Sequence, residues 1–209
     1  MTAPKRILLL FFHPRFEDSK ANSILLQEIS NLKDVTVKDL YELYPDFNID
    51  VDLEKRDLEA HDVMVWMHPF YWYSCPPLMK QWIDLVLEIG WAYGPNGNKL
   101  KNKWVLQVIT AGGDFEIYQK NGRNRFTFRE LLAPFNQTVY LCQMLYLPPF
   151  IIPSASRQLE SDLIAYGGKL KEILTLVKHP DVDAHKLLNI DYLNHLNTER
   201  WKETFFKTP

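Results

Sequence analysis

Five short segments with the character of strands, separated by amphipathic stretches, set the pattern of the chain. The first, residues 7–12, is a continuous apolar run, which is typical of a strand that is covered on both faces. The five predicted strands span residues 7–12, 35–40, 63–67, 104–110 and 146–153. Pro148 and Pro149 interrupt the last run, and we therefore expect it at an edge of the sheet.

The stretches between these runs carry apolar residues at helical spacing. The predicted helices span 20–32, 52–60, 77–89 and 159–177, and a further segment, 128–141, is helical as far as Pro134 and irregular after it. In the third helix the predicted buried positions are Leu78, Trp82, Leu85 and Ile89. Residues 41–52 show no periodicity and are predicted to be irregular.

Strands that alternate with helices predict an α/β domain built on a doubly wound parallel sheet. A chain of 209 residues fits one such domain. We assign this domain to residues 1–180. Residues 181–209 are expected to form a C-terminal extension that packs on the domain or at a dimer interface.

Composition and charge narrow the functional classes. The net charge is −2, which gives no indication of nucleic acid as a partner. Cys75 and Cys142 are the only cysteines and form no CxxC motif, which indicates a reducing compartment and no structural metal. The apolar run at 7–12 is too short for a signal peptide, and no run approaches the roughly 18 residues of a membrane span. We therefore expect a cytoplasmic protein.

Three predicted loops, 13–22, 68–77 and 110–125, follow strands of the sheet, and in a doubly wound sheet such loops converge on one crevice. The first loop is polar and opens a helix, where backbone N–H groups and the side chains of Ser19 and Asn22 suit a phosphate. The alternative is an ordinary helix cap, because many helices begin with serine. The sequence has no GxGxxG, GxxxxGK[ST], HExxH or GxSxG motif, so dinucleotide, P-loop, zinc and hydrolase sites have no support.

The second loop is unusual because it is aromatic and rigid, with residues 70–73 reading Phe-Tyr-Trp-Tyr. Flat walls suit a flat ligand, although the same residues would also serve as core. In the third loop, Gly112 and Gly113 allow the backbone to approach a ring edge. A phosphate at one end and a flat ring at the other describe FMN, with strand order 2-1-3-4-5 and the ligand between the first and third strands.

Several motifs resemble those of the flavodoxin-like NAD(P)H:quinone oxidoreductases, and within that family most of all the ancillary subunits of the glutathione-regulated potassium-efflux systems. The matching motifs are residues 68–74, 76–80, 82–84, 90–94 and 110–113, with 40–50 and 147–150 also similar to the ancillary subunits. The resemblance extends over roughly residues 6–175.

The resemblance implies a cofactor site and a reaction. The phosphate of FMN, or of FAD as the alternative, would be bound by His13, Ser19, Lys20, Ala21 and Asn22. The isoalloxazine would contact Phe70, Tyr71, Trp72, Tyr73, Thr110, Ala111, Gly112 and Gly113. NAD(P)H would reduce the flavin and a quinone would reoxidise it by ping-pong, two-electron hydride transfer. The alternative function is a regulatory ancillary subunit at the cytoplasmic face of a potassium-efflux transporter, peripheral to the inner membrane.

Two further expectations concern aromatic residues. Tyr118 has the spacing from Gly113 of the active-site tyrosine in DT-diaphorase, a related quinone reductase, and would donate a hydrogen bond where negative charge develops. The alternative is a mobile loop residue. A homodimer is expected from the resemblance and from aromatics in excess of one core's needs. These aromatics are Trp91, Tyr93, Tyr118, Trp201, Phe205 and Phe206, and their burial within the monomer is the alternative.

Overall fold

A parallel sheet with helices on both faces is the framework of the protein. The computed structural model describes residues 3–197 and 204–206. Its strands are β1 (Ile7–Phe11), β2 (Val35–Asp39), β3 (Val63–Pro69), β4 (Trp104–Thr110), β5 (Leu145–Tyr146) and β6 (Phe150–Ile152). The order β2-β1-β3-β4-β5 confirms the predicted sheet, and every pair is parallel.

The edge of the sheet beside β4 is divided into two short strands. β5 pairs with the beginning of β4 and β6 with its end. Pro148 and Pro149 lie between them, and a proline has no N–H to donate to a neighbouring strand. The predicted single strand 146–153 is therefore two strands, at the edge where it was expected.

Eight α-helices connect and follow the strands in the described part of the chain. They are α1 (Lys20–Ile29), α2 (Leu40–Leu43), α3 (Val51–Ala60), α4 (Pro77–Val86), α5 (Phe128–Leu131), α6 (Ala133–Leu141), α7 (Glu160–Lys178) and α8 (Ala184–Leu187). Helix α2 lies in the segment predicted to be irregular, and the Asp39 carboxylate caps it by accepting from the N–H groups of Tyr41 and Glu42.

Two helix predictions are wrong in detail. Helix α4 ends at Val86, so that Leu78, Trp82 and Val86 form its buried stripe, while Leu85 and Ile89 are exposed. Pro134 does not end a helix but lies in the first turn of α6, where a missing N–H costs no hydrogen bond.

The core is divided by the sheet into two layers. Alternate residues of β1 point to opposite faces, with Leu8 and Leu10 in one cluster and Ile7 and Leu9 in the other. Helices α3 to α6 contribute to the first cluster, and α1 and α7 to the second. Within 3–197 and 204–206, no helix combines the length and apolar character that a membrane span requires.

Candidate active site

A cavity of about 290 Å³ opens where β1, β3 and β4 end. Its walls come from the three predicted loops and from the segment that follows β6. Its lining includes His13, Ser19, Lys20, Ala21, Tyr71, Thr110, Ala111, Gly112 and Gln158. The structure therefore brings together residues that are up to 150 positions apart in the sequence, from 13 to 163.

The beginning of α1 forms one wall of this cavity. Ser19 is the N-cap, and its hydroxyl accepts a hydrogen bond from the N–H of Asn22. The N–H groups of Lys20 and Ala21 belong to the first turn and have no acceptor within the helix. Free N–H groups at a helix N-terminus favour an anion, and this wall therefore suits a phosphate.

Asn22 lies behind that wall rather than in it. The side chain is 1% exposed, and its Nδ2 donates to Ser19 Oγ at 2.8 Å and approaches Thr110 Oγ1 at 3.4 Å. Its Oδ1 is buried and has no hydrogen-bond partner among the described residues. Asn22 thus holds the hydroxyls of two different loops, instead of pointing its own amide at a ligand.

His13 is a neutral donor that lines the same cavity. Burial lowers the pKa of its imidazole, against a smaller opposing effect of Glu17. Its Nδ1 accepts a hydrogen bond from the N–H of Arg15 at 3.2 Å, so the ring proton is carried by Nε2. A neutral imidazole that donates through Nε2 can bind an anion without the desolvation cost of a buried charge.

A second cleft of about 450 Å³ adjoins the first cavity, and Gly112 borders both. Phe70, Trp72, Tyr73, Gly113 and Tyr118 line it, together with Asn124 and Arg157. A Cβ built on Gly112 meets no atom within 4 Å, so this backbone faces open space. A Cβ on Gly113 would lie 2.1 Å from Ile117 Cδ1 and 2.9 Å from its Cγ1, so a side chain there would displace Ile117.

The four consecutive aromatics have different environments. Phe70 is buried and packs against Tyr118, with 5.8 Å between ring centroids. Tyr71 is 40%, Trp72 92% and Tyr73 46% exposed. Trp72 and Tyr73 have φ values of 48° and 62°, a left-handed conformation that is uncommon for bulky residues. The interpretation of these aromatics as core therefore holds for Phe70 alone.

Tyr118 is packed rather than an exposed loop residue. Its ring stacks on Phe128 at 3.9 Å between centroids, and the residue is 6% exposed. Burial raises the pKa of its hydroxyl, which therefore stays protonated and able to donate at neutral pH. Asn124, on the same cleft, accepts a hydrogen bond from the Tyr73 hydroxyl at 3.3 Å.

Sequence reasoning missed the segment that follows β6. Ala155, Ser156 and Gln158 line the first cavity, and Arg157 lines the second. The N–H of Ser154 donates to Gly113 O at 2.9 Å, which ties this segment to the glycine loop. The rule that loops after parallel strands converge also applies to residues 154–158, and it would have identified them.

The cysteine of the second loop and the described metal-ligating side chains give no indication of a catalytic role. Cys75 is half-buried, and burial raises the pKa of its thiol to about 11, so it is not a thiolate at neutral pH. In the part of the chain that the structure describes, no three metal-ligating side chains are grouped.

A sequence profile of the proteins with a flavodoxin-like fold matches residues 5–176. The chain belongs to that family. The glutathione-regulated potassium-efflux system ancillary protein KefG of Serratia proteamaculans is 44% identical over 178 residues, covering 83% of this chain and 97% of that protein.

Three solved structures are also similar. General stress protein 14 of Treponema denticola, in complex with FMN, is 32% identical with a TM-score of 0.77 and covers 82% of this chain and 99% of its own. An NADPH-quinone reductase from P. pentosaceus is 27% identical with a TM-score of 0.71, covering 78% and 95%. A chain described as a thermophilic tryptophan halogenase from Streptomycin violaceusniger is 40% identical with a TM-score of 0.77, covering 81% and 98%. The three chains share this fold, but their names denote different activities.

Proposed function

We propose that the protein is an FMN-dependent NAD(P)H:quinone oxidoreductase. One observation carries the proposal, namely that an anion-binding cavity and an aromatic cleft meet at Gly112. An elongated ligand with a phosphate at one end and a flat ring at the other matches this pair of spaces. The likeness to a protein in complex with FMN and to an NADPH-quinone reductase supports the same ligand and the same reaction.

The donor set fits FMN. We infer that the helix N–H groups of Lys20 and Ala21, the Ser19 hydroxyl and His13 Nε2 hold the phosphate. Gly112 leaves room for the ring system to pass between the cavities, and the exposed aromatics Trp72 and Tyr73 provide flat walls. When bound, the flavin would supply hydride transfer, and the protein supplies position and electrostatics. FAD is the alternative cofactor, which chromatography of the released flavin distinguishes.

The protein's own side chains would contribute by positioning the reacting groups and by stabilising charge. The Tyr118 hydroxyl would donate a hydrogen bond where negative charge develops. The second cleft is open on one side, so a nicotinamide and a quinone, both flat, would enter the same space in turn. Shared access of this kind predicts ping-pong kinetics.

The test is reconstitution of the purified protein with FMN. We expect a yellow protein with one flavin per chain, which NADH or NADPH bleaches without oxygen and a quinone then restores. A protein that stays colourless after incubation with either FMN or FAD would disprove the proposal. A protein that binds flavin but is reduced by neither NADH nor NADPH would disprove the proposed reaction. The proposed cofactor would then still stand.

A second candidate function is that of a cytoplasmic ancillary subunit of a glutathione-gated potassium-efflux transporter. The 44% identity to a protein of that name favours it. Co-purification with a potassium-efflux transporter from the same membranes, with restored transport on addition of this protein, would support it. Full quinone reductase activity in the absence of any transporter would show that the enzymatic function stands alone.

A further inference from the structure

The chain continues beyond the part that matches the flavodoxin-like family, which ends at residue 176. We call residues 179–197 the C-terminal strap. The strap lies along the outer edge of β6, where the N–H of Leu193 donates to Pro149 O at 3.0 Å. The Asn194 side chain pairs with both backbone groups of Ile151, accepting from N at 2.9 Å and donating to O at 2.7 Å. These bonds from Leu193 and Asn194 cover part of the β6 edge and fix the strap to the sheet.

One residue of the strap reaches the other face of the sheet. The apolar strap residues Val182, Ala184, Leu187, Leu193 and Leu196 all belong to the second core cluster, with α1 and α7. Tyr192 belongs to the first cluster, which also holds Phe70, Tyr118 and Phe128. Tyr192 is 8% exposed, so its ring is buried on the face that carries the aromatic cleft.

A continuous series of ring contacts leads from Tyr192 to the cleft. Tyr192 meets Phe115 edge-on at 5.1 Å between centroids, and Phe115 meets Phe128 edge-on at 5.6 Å. Phe128 stacks on Tyr118 at 3.9 Å. The Arg129 guanidinium, next to Phe128, also approaches Ile190 O and Asp191 Oδ1 of the strap at 3.4 Å each.

The loop between Gly113 and α5 also packs Tyr118 against Phe70, and its polar contacts with other segments are exposed, with the Tyr73 hydroxyl donating to Asn124 Oδ1 at 3.3 Å and Lys120 Nζ lying 3.7 Å from Glu130 Oε1. Asp114 Oδ1 accepts from the N–H of Ile117 at 3.0 Å, and the N–H of Asn124 donates to Ile117 O at 2.9 Å. Both bonds lie within the loop, so they give it a shape without fixing it to the sheet. Buried aromatic contacts are the means by which such a loop is held in place, because backbone with few buried contacts opens readily.

We propose that Tyr192 is a positioning residue for Tyr118. Its ring supports Phe115 and Phe128, and the loop 114–126 is thereby held so that the Tyr118 hydroxyl stays at the cleft. The role of Tyr118 in this inference rests on the proposed function. The support of the loop 114–126 by Tyr192 does not depend on that function. A segment outside the family match would in this way set the geometry of the reacting end of the site.

The test compares three variants of the full chain, loaded with FMN. Tyr192→Ala removes the supporting ring, Tyr192→Phe keeps it, and Leu187→Ala is the matched control, fully buried in the same strap but on the opposite face. We expect Tyr192→Ala to raise amide hydrogen exchange across 114–126 by tenfold or more and to lower kcat at least fivefold with flavin content unchanged. Tyr192→Phe should stay within twofold of the parent in both measurements, as should Leu187→Ala below its melting temperature.

A double variant separates positioning from general loosening. If Tyr192 acts through Tyr118, Tyr192→Ala should slow turnover little further in a Tyr118→Phe background. Equal slowing in both backgrounds, or unchanged exchange at 114–126 in Tyr192→Ala, would overturn the proposal. If no variant and no parent protein binds flavin, the proposed function fails, and the exchange measurement alone still decides whether Tyr192 holds the loop.

Discussion

At the scale of single residues, the two adjacent glycines of the third loop should respond to substitution in opposite ways. Gly112→Ala adds a methyl group to open space at the junction of the two cavities. We expect unchanged thermal stability and FMN affinity weakened about tenfold, because the methyl group occupies space that the ligand needs. Fluorescence titration with FMN and a melting curve measure the two effects.

Gly113→Ala is the matched contrast. Its methyl group would lie 2.1 Å from Ile117 Cδ1 and 3.0 Å from Tyr118 Cε2. Overpacking of this kind destabilises by about 1–3 kcal/mol. We expect a lowered unfolding midpoint in urea, and equal stability of the two variants would contradict the packing seen around Gly113.

The hydroxyl of Tyr118 provides the second prediction. Tyr118→Phe keeps the ring stacked on Phe128 and removes only the donor. We expect FMN content to stay the same and flavin reduction by NADPH to slow by roughly tenfold or more, the scale of one lost donor. Because burial raises the pKa of this hydroxyl, the parent's rate should not decline as the pH approaches the ordinary tyrosine value of 10.0. Tyr140→Phe, at a residue 74% exposed, is the control in stopped-flow measurements.

A buried histidine links stability to pH. His68 is fully buried, and burial lowers the pKa of its imidazole from 6.5 to about 4. Gln107 donates to its Nε2 at 3.0 Å, and its Nδ1–H donates to Pro69 O at 2.9 Å, an arrangement that suits the neutral ring. Below pH 6.5 the unfolded chain therefore binds a proton at His68, whereas the folded protein binds that proton only below about pH 4.

Stability should accordingly fall as the pH decreases through this window. The full loss is about 3 kcal/mol, since each unit of pKa difference corresponds to about 1.36 kcal/mol. His68→Gln should show a smaller decrease in the free energy of unfolding between pH 7 and pH 4 than the parent. Urea titrations at both pH values measure it, and parallel losses in the two proteins would show that His68 is not the group responsible.

At the scale of elements, the sequence predicted those features that depend only on neighbouring residues in the chain. The strand β4 has the predicted bounds, and Ser19 caps α1 as expected. The end of α4 could not be predicted from spacing, because Leu85 and Val86 are both apolar and only the position of the sheet decides which is buried. Pro134 has the same ambiguity, since proline breaks a helix interior and favours a first turn.

The start of α1 carries a prediction that two helices together can test. Ser19→Ala removes the N-cap of α1 and a donor to the proposed phosphate site, whereas Asp50→Ala removes the N-cap of α3, where the carboxylate accepts from Leu53 N–H at 2.9 Å. Each variant should lose about 1 kcal/mol of stability. Only Ser19→Ala should also weaken FMN binding, by about tenfold for one lost hydrogen bond. Equal FMN affinity in both variants would mean that Ser19 has a capping role alone.

At the scale of the whole molecule, the sheet order allowed the site to be predicted in outline. Three of the four segments that form the first cavity were recognised, because strand ends in a doubly wound sheet converge. The burial of Asn22 behind Ser19 could not be predicted, since it depends on contact with Thr110, 88 residues away. The support of Phe115 by Tyr192 is equally a property of the folded chain, because no local pattern joins them.

The excess of aromatics that suggested a dimer is partly accounted for within the monomer. Tyr118 and Phe205 are buried in the core, and Trp91 packs against the first cluster. Trp201 lies outside the described residues. Trp91, Tyr118 and Phe205 therefore do not support a dimer, which stays a prediction from the family resemblance. Trp72 is different, because its ring is 92% exposed, its backbone is left-handed, and it belongs to neither core cluster of the described residues.

A second copy of the chain would cover the exposed aromatics around the cleft. We therefore expect light scattering at micromolar concentration to give twice 24.7 kDa, and Trp72→Ala to shift the mass towards the monomer. If Trp72 serves only as a wall for the flavin, the variant stays dimeric and loses FMN affinity instead. Tyr140→Ala, another exposed aromatic but remote in sequence from the cleft loops, should alter neither property. A monomeric parent protein would contradict the dimer. The exposure of Trp72 would then be explained by its contact with the ligand alone.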